Sequence, residues 1–508
     1  MANGQKSQLT WNLKLLFSGD NDPKMARKRK ILERENYKFI NKWKNRDDYL
    51  KDPKVLKEAL DELERLESQY STGGAEEYYF WLRTQQDQNN PQLKARNDKI
   101  AEFSRKLYND RQFFTLRLAK IPPNLQKKFL KSPLLKNYYH FLENLFKWSK
   151  YQLSEAEEKI INLKDPIAHT NWVRMTSGFL SRETRQVLTE EGRKEEKSFE
   201  EIIDLLSSKK KKVRDIAAQA FNEILKKNID VAEAELNSVL ANKKVNDELR
   251  KMPRPDLGRH LADDISSEVV DSLVAAVASK VEVAQRYYRL KSKLLGLPKL
   301  AYHERNVPFG NLDQKYTFEQ ANKLATNVFR KISPTFTQIF TKFLQDGQFD
   351  VYPRKGKHGG AFCVAELKFH PTYILLNFTS KLEDVLTLAH EMGHGIHNEL
   401  MRGKQNALNF GTPLSTAEVA SVFMEDFILE GVSQQANNNL KLALMVERLN
   451  RAVSTIFRQT AAYRFETELH KTFRAKGYLS KDEIGQLFQK HMASYMGPGV
   501  EQSPGSEN

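Results

Sequence analysis

Leu382-Glu383-Asp384-Val385-Leu386-Thr387-Leu388-Ala389-His390-Glu391-Met392-Gly393-His394 is the stretch on which the reading of this chain turns. Its apolar residues recur at helical spacing, and the run continues to Leu400. Residues four apart on a helix stand one above the other, so the imidazoles of His390 and His394 can converge on one metal ion. Glu391, one position round, comes within reach of a water on that ion. The spacing H-E-x-x-H is that of two zinc ligands with a carboxylate base.

A catalytic zinc usually takes three protein ligands and keeps a further position open. Glu418 supplies a third, in Ser415-Thr416-Ala417-Glu418-Val419-Ala420-Ser421-Val422-Phe423-Met424-Glu425. A turn region with Gly403, Asn406, Asn409, Gly411 and Pro413 lets the chain reverse and lay a second helix against the first. Two readings of Glu418 stand here: a metal ligand, or the acid of a capping box that Ser415 begins. Its placement after H-E-x-x-H favours the ligand.

The His390-Glu391-x-x-His394 motif, the gap to Glu418, Ala420-Ser421 and Glu425 together resemble oligoendopeptidase F, a branch of the thimet oligopeptidase-like zinc peptidases. So do Gly360-Ala361-Phe362-Cys363 and Tyr373-Ile374-Leu375-Leu376-Asn377-Phe378. A weaker likeness runs upstream through Leu153-Ser154-Glu155-Ala156-Glu157-Glu158 and Arg286-Tyr287-Tyr288-Arg289-Leu290-Lys291. The resemblance implies a mainly α, multi-helix, two-lobed zincin-like peptidase. A small β-sheet would lie beside the zinc helix, and short oligopeptides would be cut in a deep central channel. Residues 1–190 would form an N-terminal helical lobe and 191–508 the zinc peptidase domain.

Expected roles follow. One Zn2+ per chain is held by His390, His394 and Glu418, and Glu391 takes the proton of a water and passes it to the leaving amine. Glu425, two turns beyond Glu418, is placed to hydrogen-bond a ligand histidine and fix its tautomer. His397 projects to the same helical face, facing the metal's surroundings or substrate, or simply buried. Gly393 keeps side-chain atoms away from the metal or from an adjacent helix. Gly360 and Ala361, where the expected strand begins, are assigned to the same surroundings, with His358 and His370 as weaker candidates to touch substrate. The glycine loop reads equally as a flap over the peptide and as a flexible hairpin.

Chains of the resembled family continue past a segment like Gly497-Pro498-Gly499 into an aromatic-rich stretch whose His and Tyr stabilise the oxyanion. The expectation here is a C-terminally truncated chain of reduced activity, the alternative being a catalytically impaired fragment that binds zinc and peptide. Tyr463, His491 and Tyr495 are the weak candidates to substitute.

The 508 residues exceed one ordinary core, and a 40% hydrophobic content suits a folded chain. A net charge of +16 raises nucleic acid or an anionic membrane as partners, but acids and bases alternate along helices, as in Glu62-Leu63-Glu64-Arg65. Even the run Lys209–Lys212 reads as a solvated helix start, so neither partner is expected. Cys363 stands alone and cannot close an internal disulfide, while Met1-Ala2-Asn3-Gly4-Gln5-Lys6 leads into no apolar stretch. A cytoplasmic protein is the default. Amphipathic helices are expected from Leu9 to about Arg185, with breaks at Asn89-Asn90-Pro91, Pro122-Pro123 and Asp165-Pro166. A charged connector at Glu190–Ser198 leads to a second series, in which Val269, Val270, Leu273, Val274, Val277 and Val281 form one stripe. Between Gly347 and Phe378 short β-like runs are expected at Ala361–Ala365 and Thr372–Phe378. Oligomeric state is not legible.

Overall fold

Helices begin where the sequence offers a cap. Asp52 accepts from the Lys54 N–H ahead of Pro53–Gln69, and Asn90 accepts from Gln92 and Leu93 ahead of Pro91–Arg111. Ser480 and Glu483 close a capping box at the head of Lys481–Met496. Such caps satisfy donors that an α-helix leaves open in its first turn. The computed structural model describes residues 9–312, 314–434 and 436–507. The Met1–Lys6 start and Asn508 lie outside them. Helices dominate, and no described helix is long and apolar enough to cross a membrane.

Two compact units interleave in sequence: Met1–Asn162 with Asp313–Gln434, and Leu163–Leu312 with Gln435–Asn508. The segments expected from the resemblance, 1–190 and 191–508, run consecutively instead.

In the first unit, helices Lys24–Trp43, Pro53–Gln69, Phe113–Ala119 and Tyr139–Trp148 share a core that includes Trp43, Tyr49, Leu60, Phe113 and Phe114. A second core joins Trp11, Tyr78, Phe80, Tyr373 and Leu375, so the N-terminal helices pack on a three-stranded sheet. Its central strand Tyr373–Leu375 pairs in parallel with Phe349–Asp350 and antiparallel with the edge strand Phe362–Val364. Cys363 faces Ile374 in that register, so the lone thiol sits in a strand. The Trp11 indole N–H donates to the Ile374 carbonyl at 2.8 Å.

The glycine loop before the edge strand is tied at both ends. Lys357, inside the protein, pairs with buried Asp350 at 2.8 Å and donates to the Tyr352 and Leu376 carbonyls. Asn377 Nδ2 donates to the carbonyls of His358 and Gly360 at 3.0 and 2.6 Å. A loop held this way is not an ordinary flexible hairpin.

In the second unit the 39-residue helix Lys211–Leu249 carries separate apolar clusters along its length. Three details depart from the sequence reading. The connector at Glu190–Ser198 is half of an antiparallel hairpin, Thr184–Leu188 with Lys194–Ser198, turning where Gly192 adopts φ +79°. Lys194–Ser198 is almost wholly charged and Thr184–Leu188 buries Val187 alone, so no apolar alternation announced them. The valine stripe is divided between helices Ser267–Ala278 and Val281–Leu294, and Val269 and Leu273 are exposed rather than core. Asp165-Pro166 likewise ends no helical path, for a wide π turn carries Pro166–Thr170 on into Asn171–Leu180.

Candidate metal centre

Helix Leu382–Arg402 starts with Asp384, whose carboxylate accepts from the N–H groups of Thr379 and Lys381 at 2.7 and 2.8 Å. A negative charge there also suits the positive end of the helix dipole. Leu382, Val385, Leu386, Leu388, Ala389, Met392 and Ile396 are buried, which fixes the rotation of the helix about its axis. Arg402 anchors the other end, meeting Glu399 and the Thr372 hydroxyl at 3.0 Å each.

Gly393 sets the distance to the next helix, Leu414–Ser433. A Cβ at this position would lie 2.5 Å from the Ala420 carbonyl oxygen and 2.8 Å from the Ser421 Cα. The two backbones therefore touch where a side chain would hold them apart, and Glu418 comes to face the two histidines. The second helix starts at Leu414 behind Pro413, so Ser415 is not its cap and the capping-box reading of Glu418 falls.

One ligand-type atom from each of His390, His394 and Glu418 lies within 4.8 Å of the others. Glu418 Oε2 stands 3.4 Å from His390 Nε2 and 3.7 Å from His394 Nε2. Glu425 Oε1 lies 2.5 Å from His390 Nδ1, so the His390 N–H is directed to Glu425 and its Nε2 lone pair faces Glu418. His394 donates to the Ala417 carbonyl. Two imidazole nitrogens and one carboxylate oxygen, each held by a second partner, match the donor set of a hydrolytic zinc site. The Glu418 side chain is 45% exposed, so the group opens to solvent.

Glu391 is buried at 6% exposure. Burial, with Glu418 and Glu425 nearby, pushes its carboxyl up to about 7, against the pull of His390 and of a hydrogen bond from the Cys363 N–H. Burial also lowers His394, and His390 and His397 add to it. His390 is raised, because Glu425, Glu391 and Glu418 outweigh its burial.

His397 is half-buried on the same helix and burial lowers its pKa. Gly360 lies in the tied loop at φ +74°, with Ala361 half-buried after it. His358 packs edge-on against Phe362, and His370 against Tyr78 in the N-terminal core, where burial lowers its pKa to about 4. Tyr463 bonds Asp256, His491 bonds Glu468 at 2.7 Å, and Tyr495 is 2% exposed in its own core. All three are engaged within the second unit. The sequence reading missed the Cys363 N–H on Glu391, which no side-chain pattern reveals, and Asn398, whose amide reaches Cys363 Sγ at 3.7 Å. It also missed the contact of Ser421 with Glu418. A second group, Asp215, His303 and Glu304, likewise brings ligand atoms within 4.8 Å.

The sequence model of peptidase family M3 matches residues 204–507, and that of oligopeptidase F matches 117–181. Oligopeptidase PepF of Bacillus subtilis is 24% identical over 510 residues, covering 97% of this chain and 73% of that protein. An oligoendopeptidase F homolog of Lactococcus lactis is 24% identical over 439 residues, 84% of this chain and 71% of the relative. Among solved structures, oligoendopeptidase-F from Enterococcus faecium aligns over 95% of this chain and 81% of its own, with TM-score 0.67 and 19% identity. PZ peptidase A aligns over 94% and 80%, with TM-score 0.73 and 17% identity. The match over residues 204–507 spans more than half of the chain, which therefore belongs to peptidase family M3, on its oligopeptidase F side, and is a metalloendopeptidase.

Proposed function

We propose that this chain hydrolyses internal bonds of short oligopeptides with one zinc ion held by His390, His394 and Glu418. The observation that carries the reading is the 4.8 Å clustering of these three ligand atoms, with Glu391 on the same helix. When bound, zinc supplies Lewis acidity, activating a water and polarising the scissile carbonyl. Glu391 accepts the water's proton on its carboxylate and returns it to the leaving amine. Its burial disfavours the charged carboxylate, which favours taking up the proton. Glu425 holds the His390 ring through Nδ1, keeping Nε2 unprotonated for the metal.

The edge strand Phe362–Val364 offers backbone groups on which an extended peptide can add as a further strand, giving affinity without demanding particular side chains. The names of the relatives support oligopeptides as substrates. A cytoplasmic address suits the single thiol, Cys363, which lies within a strand.

Metal analysis together with cleavage of an internally quenched peptide tests the reading. The expected result is one zinc per chain, retained in Glu391→Gln, with turnover down about a hundredfold or more in that variant. A zinc-free chain, or Glu391→Gln cutting at the unaltered rate, overturns it.

A further inference from the structure

Each of the three ligand side chains meets a partner on helix Leu414–Ser433. His390 meets Glu425, His394 meets the Ala417 carbonyl, and Glu418 meets Ser421. The last pairing is the unusual one. A helical serine commonly returns its hydroxyl to the carbonyl one turn back, and Ser421 Oγ does lie 2.9 Å from the Glu418 carbonyl oxygen. It lies closer still, at 2.8 Å, to Oε2 of the Glu418 side chain. A hydroxyl has one hydrogen, and an ionised carboxylate is the stronger acceptor.

Oε2 is also the oxygen that stands 3.4 and 3.7 Å from the two imidazoles. Glu418 is otherwise open to solvent, with its side chain 45% exposed. Among the described residues no lysine or arginine pairs with it, and Ser421 is the side chain that donates a hydrogen bond to it. Ser421 is 0% exposed, so water does not compete for its hydrogen.

We infer that Ser421 is a positioning residue for the metal, its hydroxyl holding the Glu418 carboxylate in the rotamer that points Oε2 at His390 and His394. This rests on the zinc reading above. Without the hydroxyl the carboxylate swings on a flexible, half-exposed side chain and must be ordered each time the metal enters. The loss falls on metal affinity, and the chemistry of the loaded site is little changed.

Ser421→Ala is the clean test, because it removes one oxygen without adding bulk beside Gly393. Zinc dissociation constants are measured by competition with a chromogenic chelator for wild type, Ser421→Ala and Ser421→Cys, alongside the melting temperature of each zinc-free protein. Ser421→Ala is expected to bind zinc about 10- to 100-fold more weakly, with zinc-free melting unchanged and kcat at saturating zinc within a few-fold of wild type. Ser421→Cys, a weaker donor of similar size, falls between. Equal zinc affinity in wild type and Ser421→Ala overturns the inference while leaving the zinc reading intact. So does a drop in zinc-free melting that accounts for the weaker binding, which would make Ser421 a packing residue. A wild-type chain that takes up no zinc removes the reading itself, and the inference with it.

Discussion

Two clusters among the described residues bring histidine and carboxylate ligand atoms within 4.8 Å, yet their surroundings differ in charge. Around His390, His394 and Glu418, the carboxylate's nearest side-chain neighbours are two imidazoles and the Ser421 hydroxyl, and Glu418 is open to solvent. Around Asp215, His303 and Glu304, cations already occupy the place. Arg214 grips Glu304 through Nε and Nη2 at 2.9 and 2.6 Å, and Lys211 reaches both Asp215 and Glu304 at 3.0 and 3.3 Å. Glu304, 1% exposed, also accepts from the Ala301 N–H at 3.0 Å. These donors outweigh its burial and hold its carboxyl below the usual range. A divalent ion entering there would face a guanidinium and an ammonium. Proximity of ligand atoms is thus not sufficient, and the charge of the surroundings separates the proposed metal site from an ion-pair cluster.

Breaking one carboxylate in each cluster gives the largest contrast. Glu418→Ala is expected to lose its zinc on gel filtration and to stop cutting a quenched peptide, with little change in zinc-free stability. Glu304→Ala should keep one zinc per chain while stability in urea falls by about 3–5 kcal/mol, because Arg214 is left buried and unpaired. Zinc lost from Glu304→Ala, or retained in full by Glu418→Ala, would reverse the assignment of the two clusters.

Gly393→Ala sharpens the comparison through geometry alone. A methyl 2.5 Å from the Ala420 oxygen forces the helices apart, at a cost of about 1–3 kcal/mol. Zinc affinity should fall with it, since the ligands lie on both helices. The opposing alanine test at Gly192 of the charged hairpin has open space around it and strains only the backbone at φ +79°. Chemical denaturation and zinc titration of the two variants should differ, with metal affinity lost at Gly393 alone.

The smallest expected effect belongs to a buried cation with no metal role. Lys291, 1% exposed, donates to the Arg305 carbonyl and Asn450 Oδ1 at 2.6 and 2.9 Å, and burial lowers its pKa to about 7. A lysine in the unfolded chain titrates near 10.5. Between these values the unfolded chain binds more protons, so stability rises with pH across that window and the penalty is full below about 7. Melting curves of wild type and Lys291→Met from pH 6 to 9 should show a shallower rise in the variant, with zinc content unchanged. Equal slopes would show that Lys291 does not titrate there.

Much of the site was legible because its parts are local. Spacing alone puts His390, His394 and Glu391 on neighbouring positions of one helix, and Ser480 with Glu483 announces the head of another. Glu418 was ambiguous for a physical reason. A serine three residues before a glutamate has the same pattern whether or not the helix starts there, and only the observed start at Leu414 resolves it. The hairpin Thr184–Ser198 stayed hidden because Lys194–Ser198 is almost wholly charged and Thr184–Leu188 buries Val187 alone, and the exposure of Val269 and Leu273 because periodicity marks a face without saying what covers it.

By itself the sequence determined the helix that carries two imidazoles and a carboxylate, the short strands before it, and the residue types available for a metal, since these depend on neighbours within a few positions. Only the tertiary structure decided that Glu418 turns to the histidines, that Gly393 is needed for two backbones to touch, and that Ser421 and Glu425 stand behind Glu418 and His390. It also decided that Asp215, His303 and Glu304 are neutralised by Arg214 and Lys211. Contacts between separate helices depend on how whole surfaces pack, and no local spacing encodes that.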